Sequence, residues 1–436
     1  MITAQFVRRP LDTLRRWHRR YGDVFTVDYV GFGKGVYVAD PAAIRELFTG
    51  NQSDLLAGEA NSILEPVLGK HSVLVLDGPE HLRQRKLLLP PFQGSRVAAF
   101  RSTVREVAER EVAGWRPGDE LVVRDRMRAL TFDVICRAVF GVTEPARVEP
   151  LRAALTAVIE TGSILMAIPL LRTNLGPLSP GGRLARRLRA ADALIYEEIA
   201  RRRGESDLEE RTDVLSLLLT ARDEDGRPMT DAELRDELFT MLAAGHETTA
   251  TGLSFAIELL LRNPRTLERL RASAADGDDA YSAAAGKETL RMRPVIDAAE
   301  RTLTKPRTIG GWELPPGIKV YPGIALVHHR GDLYPEPDAF RPERFLEGEA
   351  ESYSWLPFGG GIRRCIGAAL AQTEMTEVLN VIAERIELEP LRDEPDPVVL
   401  RGITVAPKHG VPVRVTANRP RAPESDQYFL GQVQTT

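Results

Sequence analysis

The chain is 436 residues long, 43% hydrophobic and 28% charged, with a formal net charge of −4. That is the balance of an ordinary soluble globular protein, and it gives no electrostatic basis for binding nucleic acid. Two cysteines, Cys136 and Cys365, exclude a disulfide framework and any four-cysteine metal or cluster site, and they fit a reducing cytoplasm. No stretch approaches the roughly 18–20 consecutive apolar residues of a membrane span. The arginine-rich segment Met1–Arg20 lacks the apolar run of a secretory signal, so no membrane anchor is expected.

In chain order, Val24–Val30 and Gly35–Val38 read as short strands turning at Gly31 and Gly33. Asp77-Gly78-Pro79 has the form of a helix start, an acidic cap followed by proline in the first turn. Helical periodicity recurs over 97–113, 124–140 and 150–160, and Cys136 within the second reads as core. Ile164–Pro180 is apolar and broken by prolines, Asn174 and Gly176; it is either a lid over a pocket or a loop packed on the core. A further helix spans about 183–203. Asp231–Arg262 is one unbroken helical pattern ending before Asn263-Pro264. At 1.5 Å per residue it is roughly 48 Å long, enough to cross the molecule. Strands and turns follow from Val295 to Tyr321, then an irregular proline-rich stretch from Pro335 to Phe345. A last helix is expected after Cys365, and Pro407–Val415 reads as a terminal hairpin. Polar residues beyond 416 read as a disordered tail, giving one domain over 1–416 and a tail over 417–436.

The most informative stretch is Phe358-Gly359-Gly360-Gly361-Ile362-Arg363-Arg364-Cys365-Ile366-Gly367. It sets a single cysteine where a glycine-rich loop enters a helix. Free N–H groups at a helix start stabilise a thiolate and lower its pKa. The glycines let the backbone lie flat against a large body, and Arg363 puts a fixed cation two residues before the sulfur. A flat, iron-bearing, dianionic ligand such as haem meets all of these needs; the bland alternative is a buried small residue. In the middle of the long helix, Ala244-Gly245-His246-Glu247-Thr248-Thr249 combines small residues, which admit another body to the backbone, with a hydroxyl able to bond back to a carbonyl and open the helix. An acid beside an alcohol suits proton delivery, or is simply a polar helix face. His81 and Arg85 lie four apart on one helix face, two donors suited to a carboxylate, and Glu288 and Arg291 set an acid and an arginine three apart.

Together these residues resemble the cytochrome P-450 family. Its haem-binding loop has the pattern Phe, two residues, Gly, one, Arg, one, Cys, one, Gly, and Phe358, Gly361, Arg363, Cys365 and Gly367 fill every fixed position. The central-helix stretch is similar to the family's oxygen-activation motif. The resemblance covers nearly the whole chain and implies a mainly α fold with a small β region, with haem b between the long helix and the Cys365 loop. It implies that Cys365 is the iron ligand and that Ala244 and Gly245 border the haem. By the same likeness Thr248 hydrogen-bonds dioxygen and Glu247 relays protons. His81, Arg85, Arg301 and Arg363 would neutralise the haem propionates. Glu288 and Arg291 would join Arg344 in a structural lock behind the cysteine loop, with His246 structural or on the substrate side.

The resemblance further implies a monooxygenase that inserts one oxygen atom from O2 into a largely apolar small molecule, a hydroxylation in specialised metabolism. NAD(P)H electrons would arrive indirectly, through a ferredoxin and its reductase, docking near Arg364, Arg83 and Arg101. Met166, Leu242 and Ile296 are candidate substrate contacts, equally legible as core. One departure stands out. Asp297 falls in a segment that lines the substrate pocket and is mostly apolar or proline-bearing in the family. It either anchors a hydroxyl or amine of the substrate or caps backbone. A peroxide-driven oxygenase of the same fold and a non-catalytic haem-binding or gas-sensing protein remain open alternatives.

Overall fold

The helix Asp231–Arg262 is the axis around which the other elements are arranged. The computed structural model describes residues 2–30, 33–167, 173, 176–348 and 350–419. The axial helix begins with a reciprocal cap: Thr230 Oγ1 accepts the Glu233 N–H at 3.2 Å and Glu233 Oε2 accepts the Thr230 N–H at 2.7 Å. It ends at Asn263, where the following proline disfavours further helix. Between these ends it is buried over most of its circumference.

The helix Val123–Phe140 lies along it, and Ser95–Ala113 and Ala368–Arg385 complete a core that includes Trp115, Met127, Leu253 and Leu379. A second core, with Phe132, Cys136, Phe140, Phe239 and Leu242, joins the first half of the axial helix to Val123–Phe140, Pro145–Ala167 and Pro180–Arg203.

The five-stranded sheet runs in the order Val24–Tyr29, Gly33–Val38, Lys319–Pro322, Arg301–Leu303, Leu55–Leu56. The second and third strands are parallel, with Val36 opposite Val320. Alternation sorts the side chains onto two faces. Val36, Val38, Leu303 and Val320 meet Ile44, Leu47 and Phe48 of the helix Pro41–Thr49. Phe25, Tyr29, Tyr37 and Tyr321 meet Leu14 and Trp17 of the helix Pro10–Tyr21. Arg301 is thereby set beside Phe48, its guanidinium 5.4 Å from the ring centroid.

Four expectations change. The helix expected from Pro150 runs over Pro145–Ala167, with Pro150 inside it. Residues 164–167 of the apolar stretch are therefore helical, while 168–172, 174 and 175, on which a lid would depend, lie outside the described residues. Pro407–Val415 is not a hairpin. Thr404–Pro407 pairs with Val398–Arg401, whereas Pro412–Asn418 pairs with Ile386–Pro390 and Glu120–Val122. Gly410 and Val411 both have positive φ, and the Asp396 carboxylate accepts the N–H groups of His409 and Val411 at 2.9 Å, which turns the chain from one sheet to the next. The folded chain also passes residue 416: Ala417 and Asn418 finish the last strand, and Arg419 pairs with Glu387 at 2.7 Å.

Candidate active site

The cysteine loop is held from several sides. Gly361 has φ +61°, and a Cβ there would lie 1.9 Å from the Phe48 carbonyl oxygen, so the position admits only glycine. The Cys365 N–H donates to the Phe358 carbonyl at 2.9 Å, and the helix Ala368–Arg385 starts just beyond, with Gly367 at its cap. The Phe358 ring sits edge-on to Trp355 at 5.8 Å. Cys365 is open on one side and crowded by protein on the others. Burial raises its thiol above the ordinary range; the Gly367 N–H and the charges of Arg364 and Arg85 pull the other way and lose. The lowering expected from the helix start is thus outweighed by desolvation.

A cluster of cations flanks this loop. Burial, followed by the charges of Arg363, Arg85 and Arg301, brings His81 down to about 3, so its imidazole is neutral. Burial and mutual repulsion lower Arg301 and Arg363 to about 10 each, and burial lowers Arg85. Asp77 is the carboxylate that meets Arg363, its Oδ1 2.6 Å from Nη2. Asp77 does not cap its own helix, Gly78–Leu88, as expected; it accepts the N–H groups of Ala57, Gly58 and Glu59 at 3.1, 2.9 and 2.8 Å. Arg363 also donates to the carbonyls of Val73 at 3.0 Å and Leu76 at 2.5 Å, and Arg85 to that of Arg364 at 2.7 Å. The Nε atoms of Arg301 and Arg363 are buried with no acceptor. Arg301 and Arg363 share the Asp77 charge, and a buried cluster of these two with Arg85 needs further negative charge. A group bearing two carboxylates fits that need, and haem is such a group.

At its middle the axial helix is locally exposed. Ala244 is exposed and Thr248 half-exposed, although the adjoining turns are buried. Thr248 Oγ1 donates to the Ala244 carbonyl at 2.6 Å. Gly245 is small for a different reason than expected: a Cβ there would meet Ile135 at 2.9 Å, so it serves the close approach of Val123–Phe140. His246 is buried on that same side, its Nδ1 2.6 Å from the Leu242 carbonyl and its ring edge-on to Phe132 at 5.3 Å. Leu242 is likewise buried in the core. Glu247 Oε2 lies 2.7 Å from Arg128 Nε, a partner the sequence did not single out.

Behind the loop, Glu288 and Arg291 are wholly buried and doubly bonded, at 2.7 and 2.8 Å. Arg344 Nε and the Arg341 N–H both donate to Glu288 Oε1 at 3.0 Å. Arg291 Nη1 donates to the His328 carbonyl at 2.7 Å, and His328 too was not anticipated.

The Cytochrome P450 family model matches residues 2–412. The chain belongs to the cytochrome P450 family. It is 43% identical over 422 residues to cytochrome P450 135B1 of Mycobacterium tuberculosis, covering 95% of this chain and 89% of that one. To cytochrome P450 137 of the same species it is 36% identical over 397 residues, covering 91% and 83%. Two solved structures share the fold. Retinoic acid-bound cyanobacterial CYP120A1 superposes with a TM-score of 0.81 at 24% identity, covering 93% of this chain and 94% of that one. The cytochrome P450DA heme domain gives 0.83 at 23% identity, covering 95% and 94%. This P450 is accordingly a haem-thiolate monooxygenase, an oxidoreductase that uses haem b and takes NAD(P)H electrons through redox partners. Among the described residues, no helix is long and apolar enough to cross a membrane.

Several expected contacts of the P450 are corrected. Asp297 does not look into an open pocket. It is 7% exposed, its Oδ2 is buried without a partner, and burial raises it to about 7. Its neighbours are phenols: burial, aided by the Asp297 charge, raises Tyr29, Tyr37 and Tyr321, and the first two share a 3.0 Å hydrogen bond. Ile296, adjacent in sequence, stays half-exposed. The side chain of Met166 lies outside the described residues. Arg83 is committed to Asp223 and Glu233, at 2.6 Å each, and Arg101 to Asp279 and Glu377, so neither is a free docking cation; Arg364 is exposed.

Proposed function

We propose that this P450 hydroxylates a largely apolar small molecule with electrons delivered by a ferredoxin and its reductase. The observation that carries the assignment of its site is the meeting of Cys365 with the under-neutralised cluster of Arg85, Arg301 and Arg363. When bound, haem b supplies the iron centre at which dioxygen is reduced and one oxygen atom is passed to substrate. Cys365 would give its sulfur to that iron. The three arginines and the neutral N–H of His81 would hold the two propionates. Ala244 leaves room against the axial helix.

Thr248 already gives its proton to the Ala244 carbonyl, so its oxygen is left as an acceptor and its proton can be redirected. Glu247, half-exposed, draws protons from solvent and passes them inward, held meanwhile by Arg128. This pair would be superfluous in a gas sensor and unneeded in a peroxide-driven enzyme. Exposed Arg364, next to Cys365, suits an acidic electron donor. A half-exposed Ile296 suits an apolar substrate. Two cysteines far apart in sequence, Cys136 buried and Cys365 in the site, support a cytoplasmic setting. We assign the chain to a single haem domain whose last strand runs through Asn418.

The test uses Glu247→Gln and Thr248→Ala with a substrate found by the spin-state change it induces. Glu247→Gln is expected to lower product formation by roughly 100-fold or more. Thr248→Ala is expected to divert most of the electrons consumed into hydrogen peroxide. Unchanged product yield per NAD(P)H in both variants would reject the proton-delivery roles.

A further inference from the structure

We propose that His328 is a positioning residue for the cysteine loop: its ring fixes the Leu356 amide and, through it, the path of the backbone to Cys365. The inference rests on the reading of Cys365 as the thiolate ligand. The His328 side chain is wholly buried, and Nε2 accepts the Leu356 N–H at 2.7 Å. An amide nitrogen can only donate here, so Nε2 is the bare nitrogen and the ring proton resides on Nδ1. Nδ1 lies toward the carbonyls of Leu290 and Arg291, at the end of the helix Ala280–Met292, without an aligned bond. Burial, then the neighbouring His329 and Arg291, keeps the ring neutral. A protonated ring would have no lone pair for Leu356.

The carbonyl of the same residue accepts Arg291 Nη1 at 2.7 Å. His328 therefore bonds the Glu288–Arg291 lock to the loop, its carbonyl facing the lock and its ring the loop, beside the Trp355 Nε1 bond to the Lys287 carbonyl at 3.2 Å. From Leu356 the route is short. The Leu356 carbonyl accepts the Gly359 N–H at 2.9 Å, and the Phe358 carbonyl accepts the Cys365 N–H at 2.9 Å. Without an acceptor at 328, a buried amide at the mouth of the loop is left unpaired, and the loop must shift to satisfy it. That shift reaches the sulfur, which the Gly367 N–H meets from the other end of the same loop.

The test compares His328→Leu with His328→Gln in the haem-loaded chain. The readouts are amide hydrogen exchange at Leu356 and Gly359, the haem reduction potential, and the fraction of the reduced carbon monoxide complex that keeps the red-shifted thiolate band. His328→Leu is expected to speed exchange at Leu356 at least tenfold, to shift the potential, and to raise severalfold the fraction that loses the band. His328→Gln, which returns an acceptor to the place of Nε2, is expected to stay near the parent in all three. A folded leucine variant with parental exchange, potential and spectrum would overturn the proposal, as would a glutamine variant as impaired as the leucine one. If the leucine variant does not fold, the glutamine variant decides: retention supports the proposal and loss refutes it. Cys365→Ser separates the two levels of inference. If it keeps the band, the ligand assignment has failed; if it loses the band while His328→Leu is unaffected, only the role of His328 has failed.

Discussion

Replacing Glu288 with alanine is expected to destabilise this P450 by about 3–5 kcal/mol, the range for breaking a buried ion pair from one side, and to strip it of haem. The glutamate is wholly buried and accepts four bonds: two from Arg291, one from Arg344 and one from the Arg341 amide. Its removal leaves the Arg291 guanidinium charged and uncompensated in the core. Arg291 in turn holds the His328 carbonyl, and with it the segment that leads to Leu356 and the cysteine loop. Glu288→Gln should be milder, since an amide oxygen still accepts from Arg344 or Arg341, but Arg291 remains unneutralised. Denaturant unfolding of the haem-loaded protein, with haem retention followed in parallel, measures both effects. A loss below about 1 kcal/mol, the ceiling for an exposed pair, would show that the cluster is ornamental to the fold.

Asp297→Asn is expected to act in the opposite direction. Burial lifts this carboxyl from 3.8 to about 7. Between these two pH values the folded chain keeps a proton that the unfolded chain has released, so stability falls as pH rises through the interval. Above about pH 7 the loss is complete, and at 1.36 kcal/mol per pH unit it amounts to about 4 kcal/mol. Asparagine has the same shape and cannot ionise. It should therefore be neutral for stability below about pH 4, gain steadily from there to pH 7, and exceed the parent by about 4 kcal/mol at pH 8. Urea unfolding midpoints at pH 4, 6 and 8 report this directly. A difference that does not grow with pH would mean that Asp297 is solvated or paired.

What the sequence makes legible is local. Asn263-Pro264 bounds the axial helix at its end because proline acts within a few residues. The spacing of Glu288 and Arg291 is likewise one helical turn. What stays hidden is either long-range or a matter of helical phase. His328 accepts from an amide 28 positions on, Asp77 caps a helix that begins 20 residues earlier, and Arg128 meets Glu247 from another helix; no periodicity marks these partners. Leu242, Ala244 and Gly245 look interchangeable in a small-residue, apolar run. Only the packing of Val123–Phe140 decides that Leu242 and Gly245 face protein while Ala244 remains open. Asp297 was visible as an oddity, but the phenols that surround it come from strands more than 250 residues earlier and about 24 residues later, as do Tyr37 and Tyr321.

The sulfur–iron bond is the premise of every role assigned above, and one spectrum tests it. The reduced, haem-loaded chain is exposed to carbon monoxide before and after Cys365→Ser. The parent should show the red-shifted band of thiolate ligation and the serine variant should lack it; a serine variant that retains the band would contradict the assignment.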